Sequence, residues 1–227
     1  MLITIENVLT AGELASIHEI LARSAWVDGF LTSGPQAAKV QRNQELPEGT
    51  ETISELRRQV MAALQRNALL FAAAFPARFY PPIFNRYGGT ANFFGDHVDN
   101  AVRPLPDGSG YVRRDVSATL FLTEPSEYDG GELVIEDIYG IHAVKGQAGS
   151  MVVYPSSSIH RVEPVTRGFR TSCVVWLQSM VRDAGQRRLL FDIDMALVQL
   201  RQQVGDIESV VHLTGTYHNL LRRWAET

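Results

Sequence analysis

Cysteine is almost absent from this chain of 227 residues. The single cysteine, Cys173, has no partner for an intrachain disulfide and lies in the apolar run CVVWL. This context predicts a buried thiol and a reducing, cytoplasmic location. With no second cysteine, a structural zinc site built on thiolates is excluded, and any metal must be bound by histidine and carboxylate.

Long hydrophobic runs and an excess of positive charge are also lacking. The longest mainly apolar stretch, residues 68–75, is far shorter than the roughly 20 residues that cross a bilayer. The first residues contain neither a basic segment nor a long apolar segment, so we expect no signal peptide and no membrane partner. Lysine plus arginine total 21 against 25 acidic residues, a net charge of −4 that argues against a nucleic-acid partner.

The composition that is present is that of a globular protein, with 45% hydrophobic and 20% charged residues. The length fits one domain with an appendage. Residues 1–77 predict a strand and helices that support the core, with Thr10-x-x-Glu13 and Thr52-x-x-Glu55 as capping boxes. The second box predicts one long helix through Phe71. Residues 179–227 predict a C-terminal helical extension, in which Gly205 ends one helix and Asp206 caps the next.

The central segment, residues 78–178, has a β-type pattern, so the fold class is mainly β with flanking helices (α+β). Short apolar runs alternate with Gly, Pro, Asp and Asn, which is typical of a barrel or sandwich. The predicted strands span residues 78–87, 116–122, 132–136, 138–144, 150–154, 159–164 and 171–177.

One set of polar residues in this β segment predicts metal chemistry. His97 and Asp99 are two positions apart and would face the same side of a strand. That pair alone is a weak signal, but His160 follows another strand, and Arg170 comes ten residues later. Two histidines and one carboxylate form the facial triad of non-haem Fe(II) oxygenases, which leaves positions for a bidentate 2-oxo acid and O2. An arginine suits the distal carboxylate of such an acid.

Together these residues resemble the Fe(II)- and 2-oxoglutarate-dependent dioxygenases of the prolyl-hydroxylase branch. The segments around them agree, in particular residues 86–89 (RYGG), 117–122 (SATLFL), 130–133 (GGEL) and 149–155 (GSMVVYP). Over nearly its full length, the chain is similar to the bacterial PKHD-type hydroxylases. The resemblance implies a double-stranded β-helix (jelly-roll) core and hydroxylation coupled to decarboxylation of 2-oxoglutarate to succinate and CO2.

The same resemblance implies roles for particular residues. It makes His97, Asp99 and His160 the ligands of Fe(2+) and Arg170 the 2-oxoglutarate anchor, and it puts Tyr87 at an active-site tyrosine position. Phe121 falls where some prolyl hydroxylases use a tyrosine to contact 2-oxoglutarate, and Thr119, on the same strand face, is the alternative donor. Since halogenating relatives lack the carboxylate ligand, Asp99 favours hydroxylation. L-ascorbate is the implied reductant.

Two segments outside this set have alternative interpretations. Residues 100–115 predict either an ordinary solvated loop or a substrate lid that carries Arg103, Tyr111, Arg113 and Arg114. The apolar stripe of the C-terminal helices predicts a packed face and also offers an interface for a homo-oligomer.

Two other functions stay open at this stage. A cupin-like metal-binding or sensor module would not need Arg170, and a structural or interaction protein would not need the three ligands to converge. The substrate is also open between a protein prolyl or lysyl side chain, a free amino acid and a small metabolite such as an iron chelator.

Overall fold

The computed structural model describes residues 1–29, 40–138 and 140–227. Tyr139, inside the strand predicted at 138–144, lies outside the described residues. The helices are α1 (Ala11–Ala22), α2 (Glu51–Gln65), α3 (Ala68–Ala74), α4 (Ala184–Val204) and α5 (Glu208–Trp224). The strands are β1 (Ile3–Ile5), β2 (Val27–Asp28), β3 (Gln41–Arg42), β4 (Gln44–Glu45), β5 (Pro76–Phe79), β6 (Ile83–Tyr87), β7 (Phe93–His97), β8 (Val102–Pro104), β9 (Tyr111–Arg113), β10 (Val116–Phe121), β11 (Asp129–Gly130), β12 (Leu133–Asp137), β13 (Gly140–Val144), β14 (Met151–Pro155), β15 (Ile159–Val162), β16 (Val165–Arg167) and β17 (Arg170–Ser179).

Two antiparallel sheets form the core of the molecule. The larger sheet has the strand order β1-β14-β10-β17-β6-β4-β2, with β5 pairing beside β6 on β17. The smaller sheet has the order β13-β12-β15-β7-β3. Apolar residues from both sheets, including Phe121 and Val152 of the larger and Leu133 and Ile135 of the smaller, share one buried cluster. The prediction of a mainly β fold with flanking helices is confirmed.

Side chains of the larger sheet alternate between its two faces, as the two-residue period of a strand requires. On β17, Cys173 and Val175 are fully buried against α1–α3, which confirms the buried thiol. Burial raises the pKa of that thiol well above its usual value. The opposite face of β17 carries the even-numbered residues Arg170, Ser172 and Trp176. These side chains face the smaller sheet and line a cavity between the sheets. Polar residues within the strands therefore mark the site.

The predicted N-cap is confirmed for α1 and wrong for α2. Thr10 and Glu13 form the predicted capping box of α1. The Thr52 prediction is wrong, since Thr50 is the N-cap of α2 and its Oγ1 accepts from the Ile53 amide at 3.2 Å. The predicted continuous helix through Phe71 is also wrong. Asn67 interrupts it, because its Oδ1 accepts from the Leu70 amide at 2.8 Å and starts α3.

The C-terminal helices form a hairpin that packs on the end of α3. Phe75 and Val181 join Leu190, Val210 and Tyr217 in one buried cluster. None of the helices in the described ranges is both long and apolar enough to cross a membrane.

The cap predicted for the second of these helices is wrong, although Gly205 ends α4 as predicted. Asp206 does not cap α5, whose N-cap position is Ile207. The Asp206 Oδ1 instead accepts a hydrogen bond from Arg201 Nε at 2.9 Å.

Candidate active site

A cavity of about 320 Å³ lies between the two sheets. Its walls come from both sheets and from the segment that links β7 to β10. Histidine, carboxylate, arginine and amide side chains line it.

His97 and His160 meet at the pairing of β7 with β15, where they are direct partners across the strands. His97 Nδ1 lies 2.8 Å from the Gly95 carbonyl oxygen, and His160 Nδ1 lies 3.0 Å from that of Ser158. Because a carbonyl only accepts, each Nδ1 carries the proton and each Nε2 keeps a free lone pair. This is the tautomer that binds a metal through Nε2.

Asp99 completes the group from outside the strand. Since β7 ends at His97, strand alternation is not what brings Asp99 to His97, and that part of the prediction is wrong. The carboxylate is instead fixed by Ser117 Oγ, which donates to Oδ2 at 2.6 Å, and by Arg114 Nη1, 3.5 Å from Oδ1. One ligand atom from each of His97, Asp99 and His160 lies within 4.8 Å of the others.

The surroundings of His97 keep it neutral and oriented. Burial, reinforced by the nearby His160, lowers the pKa of His97 to about 4. The Phe94 ring stacks on the His97 ring with centroids 3.6 Å apart. Two imidazoles with one carboxylate form a donor set that suits a divalent transition metal such as Fe(II), so the residues present fit that ion.

Arg170 lies at the start of β17 with its side chain almost fully buried, and it pairs with Tyr87 of β6. Its Nη1 donates to Ser172 Oγ at 2.8 Å, and that hydroxyl donates to Asn85 Oδ1 at 2.5 Å. Its Nε and Nη2 have no hydrogen-bond partner among the described residues. A buried guanidinium with two unused donors matches a carboxylate ligand in a bidentate arrangement.

The other predicted 2-oxoglutarate contacts line the same cavity. Burial raises the pKa of Tyr87 to about 12, so its hydroxyl stays protonated. Thr119 lies on the inner face of β10 and lines the cavity beside Tyr154. Phe121 packs with its ring centroid 5.5 Å from the Arg170 guanidinium carbon.

The predicted lid segment contains an antiparallel hairpin of β8 and β9. Arg103 and Arg114 line the cavity. Tyr111 is 65% exposed and does not line the cavity, and Arg113 donates to Asp115 at 2.8 Å and to the Ser179 carbonyl. The structure therefore brings two of the four residues to the cavity, and a lid function stays a prediction.

Several cavity residues were missed by sequence reasoning. They are polar or aromatic side chains whose burial only the tertiary structure reveals: Gln41, Asn43, Glu45, Asn85, Tyr154, Ser172 and Trp176. The one available signal was the polar alternation at 41, 43 and 45. Gln41 and Glu45 fall in strands of two residues, with Asn43 between the two strands, and such short strands cannot be distinguished from a loop by alternation.

Comparison with known proteins identifies the family. Residues 82–178 match the profile of the 2OG-Fe(II) oxygenase superfamily, and residues 184–226 match the PKHD-type hydroxylase C-terminal domain. The chain is 63% identical to PKHD-type hydroxylase NE2125 of Nitrosomonas europaea and 54% identical to a PKHD-type hydroxylase of Variovorax paradoxus, each over 100% of both chains. The chain belongs to the PKHD-type hydroxylases of the 2OG-Fe(II) oxygenase superfamily. The three-part division at 77 and 178 stays a prediction.

Solved structures confirm the jelly-roll fold of this PKHD-type hydroxylase. A Pseudomonas putida prolyl-4-hydroxylase matches with a TM-score of 0.51 and 24% identity, covering 78% of this chain and 92% of its own. A Trichoplax adhaerens prolyl hydroxylase in complex with a hypoxia inducible factor oxygen degradation domain peptide fragment matches with a TM-score of 0.53 and 16% identity, covering 83% and 86%. With the family established, the chain is a 2-oxoglutarate-dependent dioxygenase, and the sensor and scaffold interpretations are set aside.

Proposed function

We propose that this chain uses Fe(2+) and 2-oxoglutarate to hydroxylate a substrate that is not yet identified. The observation that carries the proposal is the convergence of His97, Asp99 and His160 on one point, with both Nδ1 atoms occupied by backbone carbonyls. When bound, iron with 2-oxoglutarate and O2 supplies an oxidation that releases succinate and CO2 and transfers a hydroxyl group to the substrate.

The chain's own residues bind and orient the reactants. Arg170 binds the distal carboxylate of 2-oxoglutarate through its unused donors, and Ser172 holds the guanidinium in place through Nη1. Thr119 and Tyr87 supply protonated hydroxyls on the same cavity walls. Ser117 orients the Asp99 carboxylate, whose presence favours hydroxylation over halogenation.

Three further features belong to the proposal. L-ascorbate is the reductant that restores oxidised iron, and the lone buried cysteine supports a cytoplasmic location. Half-exposed apolar residues on α4 and α5, including Val198 and Val211, support a homo-oligomer through the C-terminal helices, which sedimentation velocity tests directly.

The proposal predicts succinate formation without added substrate. Anaerobic titration with Fe(II) and 2-oxoglutarate should show binding, and admission of O2 should give slow uncoupled succinate release. Asp99→Ala and Arg170→Ala should each abolish it, because one removes a metal ligand and the other the only buried cation next to Ser172 in the described chain. His142→Ala, at a half-exposed position paired with Asp137, is the control and should behave as wild type. Unchanged activity in the first two variants would refute the proposal.

A further inference from the structure

A second group of unused donors lies in the cavity away from Arg170. Trp176 and Arg170 face the same side of β17 and are six residues apart, a separation of about 20 Å along a strand. Trp176 pairs with Ser117 of β10, whose hydroxyl holds Asp99. The Trp176 end of the cavity therefore lies beside the metal ligands and far from the 2-oxoglutarate anchor.

Two arginines stack on aromatic rings at this end. The Arg114 guanidinium carbon lies 4.0 Å from the Trp176 ring centroid, and that of Arg103 lies 4.5 Å from the Tyr80 ring centroid. We call Tyr80, Arg103, Arg114 and Trp176 the arginine wall. Stacking of a planar guanidinium on an aromatic face leaves its edge donors available to a ligand in the ring plane.

The arginine wall contains donors that the protein does not use. Arg114 is only 8% exposed, yet its Nε has no hydrogen-bond partner within the described ranges, and neither does Trp176 Nε1. Leaving a buried donor unpaired costs about 1–3 kcal/mol, so such groups in a native protein require an explanation. The ion pair of Arg114 with Asp99 engages only Nη1 and does not account for Nε.

The net charge of the cavity indicates the charge of a ligand that would bind at the arginine wall. Among the described residues that line it, three guanidinium groups (Arg103, Arg114 and Arg170) face two carboxylates (Glu45 and Asp99). A divalent ion and the 2-oxoglutarate dianion cancel each other, which leaves one positive charge. A net positive charge in a partly enclosed cavity favours an anionic ligand, and the arginine wall holds two of the three guanidinium groups.

We propose that the substrate of this hydroxylase presents a carboxylate to Arg114 Nε and Trp176 Nε1, with Arg103 beside them. The inference rests on the proposed function, because it assigns the Arg170 end of the cavity to 2-oxoglutarate. It makes the substrate class a small carboxylic acid that is oxidised at a carbon directed toward His97 and His160. An uncharged internal peptide segment can pair these donors with its carbonyl oxygens, but it brings no negative charge to offset the positive charge of the cavity.

The indole N–H of Trp176 reports directly on this contact. The chain has three tryptophans, so a 15N-labelled sample gives three indole signals, and Trp176→Phe assigns one of them. The full-length protein would be saturated with Zn(II) and 2-oxoglutarate, to occupy Arg170 without turnover. It would then be titrated with acetate, butyrate, hexanoate and benzoate, and separately with the corresponding four amides.

We expect at least one carboxylate to move the Trp176 indole signal downfield and to saturate. Its amide should bind about tenfold more weakly or worse, because a neutral ligand loses a charge-assisted hydrogen bond. Arg114→Gln should weaken the carboxylate to a similar extent. Arg113→Gln is the matched control, because Arg113 is the adjacent residue but binds Asp115 outside the cavity. Trp176→Phe removes the indole signal, so carboxylate binding to this variant would be followed by the backbone amide signals of β9. The variant keeps the Arg114–Asp99 pair and should still bind the carboxylate more weakly than wild type.

Several results would overturn the inference. They are no shift with any of the four carboxylates, equal binding of acid and amide, or unchanged binding by Arg114→Gln. A purely structural role of Arg114 toward Asp99 predicts normal carboxylate binding by Trp176→Phe, so that result also overturns it. The succinate assay on the wild-type chain reports separately on the proposed function, because uncoupled turnover needs no carboxylate ligand at the arginine wall. Carboxylate binding without succinate formation would reject only the proposed function.

Discussion

At the scale of single residues, one hydroxyl links the guanidinium of Arg170, the proposed 2-oxoglutarate anchor, to the sheet. Ser172 Oγ accepts from Arg170 Nη1 and donates to Asn85 Oδ1, so it fixes the guanidinium and satisfies an amide in the same buried chain. Neither Ser172 nor Asn85 could be identified from the sequence, because a serine in an apolar strand gives no sign of which face it occupies. Arg170 was singled out from the sequence by its position ten residues after His160, and its role as anchor stays a prediction.

Ser172→Ala should weaken 2-oxoglutarate binding without touching the metal ligands. Loss of the hydroxyl leaves two buried polar groups unpaired, which should lower the free energy of unfolding by about 1–3 kcal/mol. The released guanidinium should raise the KM for 2-oxoglutarate about tenfold while kcat changes little. Steady-state succinate kinetics and urea unfolding measure both effects. Thr171→Ala, at the residue before Ser172 on β17, is the control. A rise of equal size in the KM of the Thr171→Ala variant would contradict the positioning role of Ser172.

The sequence predicted the candidate metal ligands but not the geometry that brings them together. His97, Asp99 and His160 were identified correctly as a converging group, because their types and order are informative. The explanation through strand spacing was wrong, since the chain leaves β7 after His97 and Asp99 is positioned by Ser117 from another strand. Contacts between distant strands are set by sheet register, which a single sequence does not contain.

At the scale of secondary-structure elements, local capping rules succeeded where one residue had no competitor. Thr10 precedes α1 with a glutamate three positions later, and both capping hydrogen bonds form. At the start of α2 there are two threonines, Thr50 and Thr52, on either side of Glu51. The capping-box pattern selected Thr52, but the helix begins at Glu51, which places Thr52 in its first turn.

The two threonines make a matched pair for measuring this cap. Thr50→Ala should lower the free energy of unfolding by about 1 kcal/mol, because the Ile53 amide loses its acceptor. For a chain of this length, that corresponds to a fall in Tm of about 2–4 °C. Thr52→Ala should be neutral, since alanine is a good residue in a helical turn. Differential scanning calorimetry of both variants measures the two Tm values. An equal fall in Tm for Thr52→Ala would support Thr52 as the capping residue, as the sequence predicted.

At the scale of the whole molecule, the N-terminal helices and the larger sheet form one continuous core. Ile17 of α1 and Leu56 of α2 pack in the same buried cluster as Leu120 of β10 and Val175 of β17. The other face of that sheet carries the polar site residues, so the helices support the strands that position Arg170 and Thr119. Ligands that occupy the site therefore stabilise both layers, because they bind the folded state alone.

This coupling predicts a thermal shift that depends on the distal carboxylate. A ligand present at 100 times its Kd stabilises the fold by about 2.7 kcal/mol, which at this length should raise the Tm by about 5–10 °C. Under anaerobic conditions with saturating Fe(II), 2-oxoglutarate should give such a rise. Pyruvate has the same 2-oxo acid group but no second carboxylate for Arg170, so at equal concentration it should give a much smaller rise. Arg170→Ala should abolish the difference between the two acids, whereas Asp99→Ala should reduce the effect of iron itself. Equal shifts with both acids in the wild-type chain would show that Arg170 does not bind the co-substrate.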